Sequence, residues 1–230
     1  MKVAPTKQQE VQRIVEALSI AIAQHRLKPG VRLIEAQIVE VLNANRNHVQ
    51  AALQRMALQH IVTIEPNRGA MVSQPEAREA REIFSARRAI ESEIISAITA
   101  GKMAAHADAI SQHHQREKAA LERNDRREIV PLFSQFHRLL AEIADNRVLS
   151  EILANLLVRS SLIVALYQRN DGHSCQCREH STIVEALKAG ENERAKTLMV
   201  AHLDALEQQL DLSDVSTESM SLNQALHFTA

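Results

Sequence analysis

The 230-residue chain has no tryptophan, one tyrosine and four phenylalanines, and it holds only five glycines and five prolines. With aromatic residues at 2 % and so few turn formers, a strand-rich, turn-rich fold is disfavoured and a strongly helical one is expected. Its two cysteines, Cys175 and Cys177, stand one residue apart, too sparse for a disulfide framework. No run of 18 apolar residues spans a membrane, and Met1-Lys2-Val3-Ala4-Pro5 has no signal-peptide core, so a cytoplasmic protein without a membrane partner is expected. What the chain does have is 45 % apolar residues, enough to bury one large core or two small ones. The net charge of −1 hides an uneven distribution: residues 1–73 hold nine Lys/Arg against five Asp/Glu, and the remainder eighteen against twenty-three. A basic first third is the footprint of a phosphate-binding module, with Lys2, Lys7, Arg32, Arg46 and Arg68 as candidates for backbone contacts.

The pattern within that first third points the same way. An amphipathic run (Val11, Ile14, Val15, Leu18, Ile22), Pro29-Gly30 and a short apolar segment from Leu33 to Leu42 lead to Asn43-Ala44-Asn45. Asn43 suits the left-handed turn between two helices, and Asn45 is a good N-cap. In the helix that follows, Val49, Ala52, Leu53, Met56 and Ala57 form one apolar stripe, which leaves Arg46, Asn47, Gln50 and Gln54 on the polar side. Amides and guanidinium groups there can pair with base edges in a major groove, although a solvated surface face would read the same. Ile61 to Glu65 and Met71-Val72, joined through Asn67-Arg68-Gly69, complete the order helix, helix, turn, helix and two-stranded wing.

From Ile14 to Val72 this segment resembles the N-terminal domain of the GntR family of bacterial transcription regulators. The landmarks are Leu27-Lys28-Pro29-Gly30-Val31-Arg32-Leu33, Arg46 with Val49, Ala52 and Leu53, and the wing tip Arg68-Gly69. The family usually has Ser-Arg-Thr-Pro-Val-Arg-Glu-Ala-Leu in the recognition helix; here Asn47 and His48 replace Thr-Pro, and Gln50 and Ala51 replace Arg-Glu. Arg46 carries over from the family motif as a DNA contact; with the polar side of that helix, the helix before it and the wing, the candidate contact set is Arg32, Gln37, Arg46, Asn47, His48, Gln50, Gln54, Arg68 and Gly69, and the resemblance implies a homodimer on a palindromic double-stranded operator in a bacterial cytoplasm. With the second family arginine missing at Gln50, the operator is expected to differ from the family's common one.

Beyond a linker at 74–78, only helical periodicity is visible. Six helices are predicted, at about 77–100, 103–123, 126–145, 147–168, 176–188 and 191–211, punctuated by Gly101, Asp145-Asn146, a turn at Asn170-Asp171-Gly172-His173, and Ala189-Gly190. The expected architecture is therefore mainly α: a winged helix-turn-helix over 1–73 with a small two-stranded wing, an all-α six-helix bundle over 79–211, and a mobile Ser-rich tail at 212–230. His137 shares a face with Phe133, Leu140 and Ala144; His180 with Ile183, Val184 and Leu187; His202 with Leu198, Ala205 and Leu206. A single histidine so placed is usually core packing. Three on three helices are what a divalent transition metal needs. His173, Cys175, Cys177 and His180 form a rival metal cluster, with free thiols at a helix start as the simpler account.

From about Arg81 to Leu210 the chain is similar to the effector-binding domain of the FadR subfamily of GntR regulators, in Arg87-Arg88-Ala89-Ile90-Glu91, Phe136-His137, Asn146, Glu179-His180 through Leu187, and Leu198-Met199 with His202-Leu203. The family's metal ligands are typically one aspartate and three histidines. The aspartate's place is Phe133 here, whereas His137, His180 and His202 all carry over. The resemblance thus implies one divalent metal, zinc or nickel, per subunit, held by three imidazoles, beside a small carboxylate effector. Arg87, Phe133 and Arg159 are its candidate lining, because a guanidinium grips a carboxylate with two parallel hydrogen bonds; a surface salt bridge is the alternative for Arg159. A ligand-responsive DNA-binding regulator is the expected function. The alternatives are a regulator whose helical domain only dimerises and a metal-dependent enzyme, the latter disfavoured because no carboxylate base is placed beside the histidines.

Overall fold

In a computed structural model, residues 6–123, 126–168 and 176–212 are described. The chain begins with helix α1 (Lys7–Ala23), opened by a capping box in which Thr6 and Gln9 satisfy each other's backbone donors. Strand β1 (Arg32–Leu33), helix α2 (Glu35–Leu42) and helix α3 (Arg46–Leu58) follow. Asn43 ends α2 in the left-handed conformation at φ 46°, and the Asn45 side chain accepts from the Asn47 amide at 2.8 Å to start α3. The turn is as the residues imply. Strands β2 (Val62–Glu65) and β3 (Gly69–Val72) form the wing hairpin, closed by Asn67 at φ 64° and Gly69 at φ 80°.

The wing is one strand larger than expected: the antiparallel sheet has the order β1-β3-β2, with Arg32 opposite Met71 and Leu33 opposite Ala70. Two residues carry no alternation of their own, so β1 exists only through its pairing with a strand far along the chain. Ile14, Ile22, Val49, Ala52, Leu53, Met56 and Val72 make the winged-domain core.

Seven helices, not six, follow among the described residues: α4 (Ala77–Ser96), α5 (Ala100–Ala105), α6 (Ala107–Glu122), α7 (Arg126–Ala144), α8 (Arg147–Tyr167), α9 (Gln176–Lys188) and α10 (Asn192–Gln208). The break falls before Gly101, at Thr99, whose hydroxyl accepts from the Lys102 amide and starts the extra short helix. The turn at 170–173, Lys2, His173, Cys175 and the tail from 213 onward lie outside the described residues. Leu212, assigned to that tail, is buried beside Leu210, and its carbonyl accepts from the Arg81 guanidinium at 2.6 Å.

Helix α8 organises the molecule. By length and composition it could cross a membrane, with a mean hydropathy of 1.7. Its apolar character has a packing cause, however, because its sides serve different cores. Leu153 and Leu157 join the main bundle core, where α8 lies against α4 and α7; Leu156 and Ile163 pack against Ile83 and Phe84 of α4; Val158 and Leu162 enter the winged-domain core. The winged domain is thereby seated directly on the bundle. Asn155 donates to the Gln59 carbonyl at 3.0 Å, and His25 Nε2 lies 2.9 Å from the Ser161 carbonyl.

Candidate functional site

Two surfaces carry chemistry. On the first, Arg32, Gln37, Arg46, Asn47, Gln54, Arg68 and Gly69 are exposed, and His48 and Gln50 are half-buried. Arg46 is 75 % exposed at the start of α3, with its Nε 3.4 Å from the Glu35 carboxylate. The Gln50 amide donates to that same Glu35 oxygen at 3.0 Å. Glu35 therefore restrains both base-reading candidates, a role that local sequence does not announce because it acts across the helix-helix turn. At the wing, Arg68 pairs with Glu65 at 3.1 Å, and the Arg32 guanidinium lies 3.9 Å from where a Gly69 side chain would begin. The structure thus brings Arg32 to the wing tip.

The second surface is internal. His137 on α7, His180 on α9 and His202 on α10 are all buried, and each offers a nitrogen within 4.8 Å of the others. A separate glutamate holds each Nδ1. Glu91 on α4 lies 2.5 Å from His137, Glu117 on α6 lies 2.7 Å from His180, and Glu179 lies 2.6 Å from His202. A carboxylate accepting from Nδ1–H fixes the tautomer and turns the Nε2 lone pair inward, the arrangement common behind metal-bound imidazoles.

Burial pushes the His137 ring down to about 4 and the His180 ring to about 3, in each case against the pull of its glutamate. Burial would raise the Glu91 and Glu117 carboxyls, but the facing Arg87 and His137 charges, and the His113 and His180 hydrogen bonds, hold them near 2. His137 and His180 are therefore neutral imidazoles at neutral pH, each backed by a carboxylate. With the Nδ1 protons committed, His180 Nε2 and His202 Nε2 face each other at 3.3 Å. Two imidazole nitrogens on one tetrahedral zinc stand about 3.3 Å apart, the same separation. The donor set fits a divalent metal.

Phe133 occupies the fourth side. Its ring sits edge-on to His180 at 5.3 Å and packs among Ile129, Leu132 and Cys177, so it supplies no ligand there. Arg87 is 4 % exposed; its Nε donates to Glu91 at 2.8 Å, its Nη1 lies 3.4 Å from the Ser160 hydroxyl, and its Nη2 has no partner. Arg87 belongs to the lining of a cleft of about 60 Å³ shared with Phe133, His137, Ser160 and His202. Arg159 is not brought there. It pairs with Glu79 at 2.6 Å, the salt bridge named above as its alternative.

Glu117 is the functional residue that sequence reasoning missed. The available signal was a carboxylate four residues after His113 in the buried stripe of Ile110 and Ala120. The Cys177 thiol is raised by burial, and the Glu117 charge adds to this, which is the opposite of a reactive redox thiol.

Residues 10–72 match the family described as bacterial regulatory proteins, gntR family, and residues 82–205 match the FCD domain. Among curated proteins, the chain is 24 % identical to the HTH-type transcriptional repressor RspR of Escherichia coli (strain K12), over 86 % of this chain and 88 % of that one. It is 25 % identical to a probable D-xylose utilization operon transcriptional repressor of Paenarthrobacter nicotinovorans, over 84 % of this chain and 85 % of that protein. In fold it is similar to a putative transcriptional regulator GntR from Rhodococcus sp. RHA1, with a TM-score of 0.74 at 24 % identity, covering 86 % of this chain and 96 % of that one.

Proposed function

The chain belongs to the GntR family of bacterial regulatory proteins and carries an FCD domain, and we propose that it is a homodimeric repressor whose helical domain holds one divalent metal and a small carboxylate effector. Its being a transcription regulator and not an enzyme follows from the family and its relatives. Residues 1–73 then read a palindromic operator and residues 79–211 carry the ligand, because two recognition helices must address two half-sites.

The observation that carries the ligand reading is the triple set of imidazoles, each turned inward by its own glutamate, beside a buried guanidinium with a free nitrogen. A divalent metal, when bound, supplies a positive centre and a coordination position that an effector carboxylate or a water can fill. His137, His180 and His202 hold it, and Glu91, Glu117 and Glu179 keep the three rings in the ligating tautomer. Phe133 takes the place of a fourth, anionic ligand, so the site keeps a higher positive charge and depends more on the incoming carboxylate. Arg87 Nη2 is the donor left for that carboxylate.

Transmission runs through α8. Ser160 touches Arg87 in the cleft, while the next residue's carbonyl receives His25 from the winged domain, and Val158 and Leu162 lie in that domain's core. Burial holds the His25 ring below its usual value, so it is neutral and its Nε2–H donates. A ligand that draws Arg87 away from Ser160 acts on the helix to which the DNA-reading part is fastened.

Thermal unfolding with zinc and with chelator tests this directly. Wild-type protein should melt higher with zinc and lose that gain in chelator, and His202→Ala should gain markedly less from zinc than wild type does, since only the folded state carries the site. Equal melting of the wild type in both conditions, with no metal by elemental analysis, would refute the metal reading.

A further inference from the structure

On the far side of His180 lies a second cavity, of about 230 Å³, between α6, α7 and α9. At its edge three donors of different chemistry converge: His114, Glu117 and Cys177 each offer one atom, all within 4.8 Å of one another. Cys177 Sγ is 4.0 Å from His114 Nδ1, and that nitrogen is 3.9 Å from Glu117 Oε2. Glu117 itself is 1 % exposed and unevenly used. Its Oε1 faces His113 at 3.2 Å and His180 at 2.7 Å, whereas its Oε2 is buried without any hydrogen-bond partner. A buried, ionised carboxylate oxygen with no donor is costly, and such an atom calls for a cation.

We propose that His114, Glu117 and Cys177 form a second transition-metal site, separate from the three-histidine cluster and marked by a thiolate. A nitrogen, an oxygen and a sulfur donor suit zinc or a similar borderline metal, with water or an exogenous ligand in the adjoining cavity as the fourth donor. Around one tetrahedral zinc, such donors stand about 3.3–3.6 Å apart, so the His114–Cys177 and His114–Glu117 separations need to close by about half an ångström. His114 can supply that movement, because its side chain is 45 % exposed. Binding breaks the Cys177 S–H bond, forms a sulfur–metal bond and releases the proton to solvent. Glu117 would then serve both centres, orienting His180 through Oε1 and ligating through Oε2.

Cobalt(II) titration of chelator-stripped, freshly reduced full-length protein tests the assignment, because thiolate-bound cobalt shows a near-ultraviolet charge-transfer band that an all-imidazole site does not. The band should appear in the wild type and in Cys175→Ser. It should be absent in Cys177→Ser, and in His114→Ala, a half-buried position outside the hydrophobic core, its apparent affinity should fall by about tenfold or more. No band at saturating cobalt in the wild type, a band that survives Cys177→Ser, one lost in Cys175→Ser, or one indifferent to His114→Ala would overturn the proposal. Visible cobalt absorption without the ultraviolet band would indicate the histidine cluster alone, and so also overturn it.

Discussion

Glu91→Gln removes a charge from the centre of the helical domain without changing its shape. Glu91 is 2 % exposed and accepts from Arg87 Nε at 2.8 Å and from His137 Nδ1 at 2.5 Å. In the variant, Arg87 keeps its full charge at 4 % exposure with no carboxylate to balance it, only a neutral amide, the 3.4 Å contact to Ser160 and the Phe84 ring 5.6 Å away. Breaking a buried pair in this way costs about 3–5 kcal/mol, most of it the penalty of the uncompensated cation. For a chain of this size that corresponds to a fall of roughly 10 °C in melting temperature. A second consequence follows from the amide. Its one oxygen can accept from Arg87 or from His137 but not from both, and its NH₂ then faces the other partner. With the oxygen kept by Arg87, the NH₂ donates to His137 Nδ1, the proton moves to Nε2, and one inward lone pair is lost. Urea and thermal unfolding followed by circular dichroism at neutral pH, each with zinc and with chelator, read both effects. A variant within about 1 kcal/mol of wild type in chelator, still raised by zinc as wild type is, would refute the view that Glu91 neutralises Arg87 and sets the His137 tautomer.

Acid should destabilise the metal-free protein well before its carboxylates titrate. His137 and His180 stay neutral in the fold down to about 4 and about 3, against 6.5 when unfolded, so below 6.5 the unfolded chain takes up protons that the fold refuses and stability falls with pH. By pH 5 the loss should be on the order of 2 kcal/mol per ring, and Glu91 and Glu117 add to it only below about 4.5, the value from which they are lowered. Urea midpoints at pH 7.5, 6 and 5 in chelator check this, and a flat profile would contradict it. On the DNA side, Arg46→Ala should cost about 1–3 kcal/mol of specific binding with no loss of stability, since the side chain is 75 % exposed and touches Glu35 only at 3.4 Å. Gel-shift titration on an operator selected from random DNA measures it, and an unchanged affinity would remove Arg46 from the groove.

Local signals sufficed wherever the cause was local. Asn43 and Asn45 announced the turn, the stripe of Val49, Ala52, Leu53 and Met56 announced the buried side of α3, and helical spacing turned His137, His180 and His202 to apolar faces. Periodicity reports which side of an element is apolar, but not which element lies against it. Strand β1, two residues long, therefore had to await its pairing with β3, and the break before α5 turned on a single hydroxyl cap. Arg159 met Glu79, 80 positions away, and Glu117 met His180, 63 positions away, so neither partnership was visible in the order of residues. The sequence by itself determined all but one of the helices, the wing hairpin and the inward histidines, because each depends on neighbours within a turn or two. Only the tertiary structure decided that three glutamates orient those histidines, that Glu117 faces two clusters at once, and that α8 joins the cleft beside Arg87 to the winged domain, because contacts among buried charges are set by how helices pack and not by their spacing along the chain.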